Sequence, residues 1–200
     1  MGDVTWTELL NILFRWFHVF FGIMWIGLLY FFNFVNAPYA AALDAETKKK
    51  AVPELMPRAL FFFRWAAMIT FILGLLLVYI NYLGPNKETD FMSARGHWIS
   101  LGILFGTIMW FNVWFIIWPS QRKIINGIKT GPPAAPEIVK RAALASKINT
   151  YLSVPLIFSM LAAGKHFIHD EWYWFVGVLV IGYFGVSGLY KRAAKVSTNV

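Results

Sequence analysis

The stretch LLNILFRWFHVFFGIMWIGLLY, residues 9–30, carries a single charged side chain, Arg15. A transmembrane helix needs about 20 consecutive, mostly apolar residues. This stretch therefore predicts a membrane-spanning helix, with a helical extension to residue 36. Four further stretches have the same character, and the five predicted spans are residues 9–36, 60–82, 97–118, 148–168 and 172–190. The sequence predicts an all-α integral membrane bundle of five transmembrane helices, forming a single membrane domain over residues 1–200.

Composition supports this fold class. Hydrophobic residues make up 58% of the chain and charged residues 14%, against about 45–50% and about 25% in an average soluble domain. A soluble enzyme is therefore excluded. The chain has no cysteine, which also excludes disulfides, cysteine-ligated zinc, iron–sulfur clusters and a covalently attached c-type haem.

The basic residues are distributed unequally between the two sides of the predicted bundle. One side carries three in its loops and the other carries thirteen. Because cytoplasmic loops of membrane proteins are rich in Lys and Arg, the N-terminus is predicted to be periplasmic and the C-terminus cytoplasmic, in a bacterial inner membrane. The net charge of +8 is explained in this way, so no nucleic-acid partner is expected.

One loop is unusually long. The third span is expected to stop at Pro119, and the Gly-Pro-Pro sequence at residues 131–133 is expected to break the chain again. The residues that follow have a short basic helical pattern. Residues 130–145 are therefore predicted to be mobile or to lie on the inner membrane surface.

Four histidines, His18, His97, His166 and His169, are all predicted to lie towards the periplasmic side. His18 is the deepest, and imidazole is a common ligand of haem iron, copper and zinc. Arg15 and Gly22 share the face of His18, because residues three and four apart on a helix are neighbours. His18 is therefore predicted to bind haem iron and Arg15 a haem propionate. The alternatives are a hydrogen bond from His18 to a neighbouring helix and an Arg15 side chain that extends to the outer headgroups. Gly22 would leave room for the porphyrin or for a closely packed helix.

A second axial ligand is also expected. His166 ends a helix antiparallel to the first and can lean into the bundle, so His18 and His166 are the predicted metal ligands. His97 is the reserve candidate, and Lys165 would contact the propionates beside Arg15. Alternatively, His97, His166 and His169 would form a copper or zinc site on the periplasmic side.

Other intramembrane residues have more ordinary interpretations. Glycines on the third and fifth spans predict close helix packing, and Arg64 is expected to extend towards the headgroups. Three amides are expected to form hydrogen bonds between helices: Asn33, Asn36 and Asn112.

Three segments carry a resemblance to a known family. They are WFHVFFGIMWIGLLYFFNFVNAPYA at 16–40, FNVWFIIWPSQRKII at 111–125 and SKINTYLSVPLIFSMLAAGKHF at 146–167. Together they resemble the N-terminal membrane domain of bacterial membrane-bound, cytochrome-type urate oxidases. Members of that family carry further spans and a C-terminal c-type cytochrome domain, whereas this chain ends soon after its fifth span. A stand-alone version of this domain would either pass electrons to a separate partner or have a different role.

The leading functional hypothesis is a membrane-bound redox or electron-transfer subunit that binds a b-type haem near the periplasmic face. Bis-histidine ligation leaves no open iron position and favours electron transfer. The expected partners are the lipid bilayer and either other membrane subunits or a c-type cytochrome. The alternatives are a cofactor-free accessory or structural subunit of a larger membrane complex, and the copper or zinc protein described above.

Overall fold

The computed structural model describes residues 5–85, 87–164 and 169–196. They form five long helices and no strand, as the sequence predicts. The helices are α1 (Trp6–Ala42), α2 (Ala45–Leu83), α3 (Ala94–Thr130), α4 (Pro136–Ala162) and α5 (Trp172–Ala193).

Four of the helices, α1, α2, α3 and α5, are long and apolar enough to cross a membrane. At 1.5 Å per residue, the 39 residues of α2 span about 58 Å, which exceeds the roughly 40–45 Å of a bilayer with its headgroups. The ends of the longest helices therefore extend into water.

Helix α4 is the most polar of the five, and it lies inside the bundle. It packs against α1, α3 and α5, and four of its polar side chains are almost completely buried. They are Asn149, Thr150, Ser153 and Ser159. A helix whose polar groups are paired with neighbouring helices needs less apolar surface than a helix that faces lipid.

Local sequence signals define the helix ends. The Thr5 hydroxyl and the Glu8 carboxylate form a capping box at the start of α1. Asp44 caps α2, and the Thr47 hydroxyl that donates to its carboxylate lowers the pKa of Asp44. Gly131 follows α3 with a φ of 101°, a conformation that favours glycine.

Two boundaries differ from the sequence-based expectation. Helix α3 does not stop at Pro119 but continues to Thr130, because Pro119 lies in the first turn after a π-helical segment, Asn112–Ile117. A proline in the first turn of a helix interrupts no hydrogen bond that the turn needs. The part of the predicted surface segment from Pro136 onwards is the start of α4, which runs unbroken from that residue with Ala142 and Ala145 buried.

Two glycines bring α4 close to its neighbours, as expected from the sequence, whereas Gly185 and Gly188 of α5 have no other helix within 4 Å of the position that a Cβ would take. A Cβ atom on Gly102 of α3 would lie 2.8 Å from the Met160 side chain of α4. A Cβ on Gly182 of α5 would lie 3.2 Å from the Pro155 ring of α4. A larger side chain at Gly182 would press on the rigid Pro155 ring, whereas one at Gly102 would require the flexible end of Met160 to move.

The alternating helix directions give the bundle two ends. The start of α1, the loop after α2 and residues 169–171 form one end, termed the histidine end. The end of α1, the start of α2 and the loop between α3 and α4 form the other, termed the basic end because thirteen Lys and Arg residues lie there.

Candidate functional site

His18 lies between α1 and α2, and its ring has a defined orientation. Its Nδ1 atom is 2.9 Å from the backbone carbonyl oxygen of Thr70 on α2. Because a carbonyl oxygen only accepts hydrogen bonds, Nδ1 must be the donor. In the neutral ring, this leaves the lone pair of Nε2 available to a ligand. Histidines that bind metals commonly have this arrangement.

A glycine on α2 allows this hydrogen bond to form. A Cβ atom on Gly74 would lie 3.1 Å from Cε1 of His18, which is closer than most carbon contacts, and 3.5 Å from Nδ1, which is an ordinary contact distance. The missing side chain thus gives the imidazole access to the Thr70 carbonyl. Gly22 faces α2 as well, and a Cβ there would lie 3.8 Å from the Thr70 methyl group. This is the helix-packing role that the sequence offered for Gly22, and its contact with a porphyrin stays a prediction.

Arg15 lies one turn nearer the histidine end, and amide groups hold it. Its Nη2 atom donates to Oδ1 of Asn81 over 3.0 Å, and its Nε atom donates to Asn11 on the same helix. Asn81 is buried, and its own amide donates to the Leu77 carbonyl. No carboxylate of the described residues lies within 4 Å of Arg15, so its charge has no counter-ion among them.

An open cleft of about 690 Å³ lies at the histidine end, between the first turns of α1 and the loop after α2. Ligand and cofactor pockets commonly have volumes of about 300–1,000 Å³. Arg15 and Arg95 supply positive charge to its lining, and Glu8 and Glu88 supply negative charge. Arg95 is fixed by a 3.0 Å hydrogen bond to the Ala163 carbonyl. The cleft includes Arg15 but not His18.

The other predicted ligands differ in their placement. His97 lies at the surface, with its Nδ1 atom 2.6 Å from a carboxylate oxygen of Asp170. His169 is exposed beside Glu171. His166 and Lys165 lie outside the described residues. Among the residues that are described, no three His, Asp or Glu side chains are grouped so that they could hold a metal ion.

Comparison with known families adds a second line of information. Residues 84–192, more than half of the chain, match the urate oxidase N-terminal family. The chain belongs to this family. The matched region covers α3, α4 and most of α5, and it includes the second and third of the three segments quoted above. His18 and Arg15 precede it. No curated protein and no solved structure gives a significant match.

Sequence reasoning missed three residues that build the surroundings of His18 and Arg15. Thr70, Gly74 and Asn81 all belong to α2, and none stands out in an apolar span. Asn81 lies in a π-helical segment, Tyr79–Leu83, that directs its amide towards α1. Arg15 itself was the available signal. An unpaired arginine inside a membrane costs free energy, so polar partners on a neighbouring helix could be expected.

Proposed function

We propose that this member of the urate oxidase N-terminal family is a membrane redox subunit that binds one b-type haem, with His18 as an axial iron ligand. The observation that carries the proposal is the hydrogen bond from Nδ1 of His18 to the Thr70 carbonyl, which leaves the Nε2 lone pair of the neutral ring available to bind iron. A hydrogen bond donated by one ring nitrogen fixes the tautomer of a metal-binding histidine and raises the basicity of its other ring nitrogen.

Arg15 is the proposed partner of a haem propionate. Its guanidinium is held by amides that carry no charge, so its own charge can be matched by a carboxylate from a ligand. The cleft beside Arg15 opens towards water at the histidine end, which suits the polar edge of a haem whose iron lies one helical turn deeper. Lys165 would contact the second propionate.

His166 is the proposed second axial ligand, and His97 is the alternative. His97 also has an oriented ring, because Asp170 contacts its Nδ1 atom, but it lies at the surface. With two histidine ligands the haem would transfer single electrons and would not bind oxygen. We place the histidine end at the periplasmic face of a bacterial inner membrane, where a c-type cytochrome or another membrane subunit would accept or donate the electron.

A cofactor-free accessory subunit is the second candidate, and one observation favours it. The cleft ends at Arg15 and does not reach His18, so His18 could serve only as a bond between α1 and α2. The absorption spectrum of the purified protein distinguishes the two candidates, because only the first predicts the sharp reduced bands of a b-type haem.

The decisive variant is His18→Ala, with His169→Ala as a matched control at the same end of the bundle. We expect wild type and the control to retain about one haem per chain, measured as the pyridine haemochrome, and His18→Ala to lose most of it. His18→Gly supplied with imidazole should regain haem, which separates a lost ligand from a misfolded chain. A colourless wild-type protein, or full haem content in His18→Ala, would refute the proposal.

A further inference from the structure

Arg64 of α2 has an unusual position near the basic end of the bundle. Its guanidinium carbon lies 3.9 Å from the centroid of the Trp118 ring on α3. Its Nε atom is buried and has no hydrogen-bond partner. The sequence-based expectation was a side chain that extends towards the headgroups, and the structure shows its guanidinium stacked on an aromatic ring near the basic end. A ring face attracts a cation without satisfying its N–H groups.

A second arginine shares the same ring. Arg122 follows Trp118 by four residues on α3, and its guanidinium carbon lies 5.8 Å from the Trp118 centroid. The charge of Arg122 acts on Arg64 as a repulsion. Neither arginine has a carboxylate within 4 Å among the described residues.

We propose that Arg64 and Arg122 together bind the phosphate group of an anionic phospholipid. Two guanidinium groups provide the planar, paired N–H donors that match phosphate oxygens, and an anion would remove their mutual repulsion. The pair is positioned at the boundary of the apolar region, because the strongly polar segment Trp118–Thr130 follows the apolar part of α3. Basic clusters at this depth recognise lipid headgroups.

The surroundings favour a lipid over a soluble phosphate. Phe61 lies 5.9 Å from the Arg64 guanidinium, and about half of its side chain is exposed. This ring provides an apolar surface that acyl chains can cover, whereas a free phosphate ion gains nothing from it.

The test uses the full-length protein in a neutral detergent. Its thermal unfolding midpoint is measured during titration with short-chain phosphatidylglycerol, phosphatidylcholine or inorganic phosphate. A ligand that binds only the folded state raises this midpoint. We expect phosphatidylglycerol alone to raise it. Arg122→Gln should raise the half-saturating lipid concentration about tenfold or more, because it removes charge-assisted hydrogen bonds to the phosphate. Arg64→Gln should have the same effect.

Lys123→Gln is the matched control, because it removes the same charge from the next residue of α3 and should respond as wild type does. Arg122 is exposed, so Arg122→Gln carries the test if Arg64→Gln does not fold. An unchanged lipid response in Arg122→Gln would overturn the proposal, and so would equal responses to the two lipids. An equal response to inorganic phosphate would overturn the assignment to a lipid. None of these outcomes depends on whether the protein binds haem.

Discussion

Gly74→Ala tests the local geometry that orients His18. The new Cβ would lie 3.1 Å from Cε1 of the imidazole, so the ring has to move by a few tenths of an ångström. That movement lengthens the 2.9 Å bond to the Thr70 carbonyl towards the limit of a useful hydrogen bond. Gly74→Ala is therefore expected to weaken the contact between α1 and α2 at this point.

The matched control is Gly22→Ala, in the same helix interface. Its Cβ would lie 3.8 Å from the Thr70 methyl group, which is ordinary van der Waals contact. Both substitutions gain about 0.8–1.0 kcal/mol from the higher helix propensity of alanine. Gly74→Ala alone loses about 0.5–1.5 kcal/mol from the weakened hydrogen bond, with a further penalty of about 0.5–1.5 kcal/mol if the imidazole leaves its preferred rotamer.

The two variants should therefore differ in the free energy of unfolding by about 0.5–1.5 kcal/mol, or by about 1–3 kcal/mol if the rotamer changes as well. For a chain of this size, 1 kcal/mol corresponds to roughly 2–4 °C in the unfolding midpoint. Thermal unfolding in detergent, with haem absent, should rank Gly22→Ala above Gly74→Ala. If Gly74→Ala is as stable as Gly22→Ala, the absence of a side chain at Gly74 is not what allows the hydrogen bond between His18 and Thr70.

Where haem is bound, Gly74→Ala should also reduce haem affinity about 10–100-fold, as is typical when the hydrogen bond that supports a metal-binding histidine is lost.

Three further predictions concern the surrounding bundle. Asn149→Ala should cost about 1–3 kcal/mol in chemical or thermal unfolding, because it removes the partner of the buried Asn112 amide; a change below about 0.5 kcal/mol would contradict this. His97→Ala should change stability by less than about 1 kcal/mol, because its pair with Asp170 is partly exposed, and a larger loss would show that the pair is structural. Trp98→Phe should cost about 1 kcal/mol in the free energy of unfolding and increase protease cleavage near His169, because the Trp98 indole donates to the His169 carbonyl over 2.7 Å. Cleavage at the wild-type rate would show that this hydrogen bond does not hold the segment in place.

The fold was predictable from the sequence because it depends on long apolar runs. A run of apolar residues sufficient to cross a bilayer has few other stable structures, so the number of helices and their class follow directly. The expected amide bonds were also largely confirmed: Asn33 donates to Ser146 on α4, and Asn112 donates to Asn149. Intramembrane amides require partners, and neighbouring helices supply them.

The candidate site was only partly predictable, because its partners come from a second helix. The deep position of His18 and its shared face with Arg15 follow from helical spacing alone. Thr70, by contrast, contributes a backbone carbonyl, which every residue has, and Gly74 contributes the absence of a side chain. Neither property distinguishes a residue in a sequence. The pairing of Arg64 with Trp118 was missed for a related reason, since an aromatic ring in a span is ordinarily read as a lipid-facing residue.

The three π-helical segments of the described residues explain why regular helical spacing does not predict every contact between helices. They lie at Phe31–Asn36, Tyr79–Leu83 and Asn112–Ile117, and each places an asparagine against a neighbouring helix. An i to i+5 turn contains about one residue more than an α-turn, so the residues beyond it are rotated by about 100° relative to a regular helix. His18, Gly22 and Arg15 all precede the first of these segments, which is why their common face could be derived from spacing. Asn81 and Arg122 lie within or beyond such a segment, and their neighbours could be identified only from the structure.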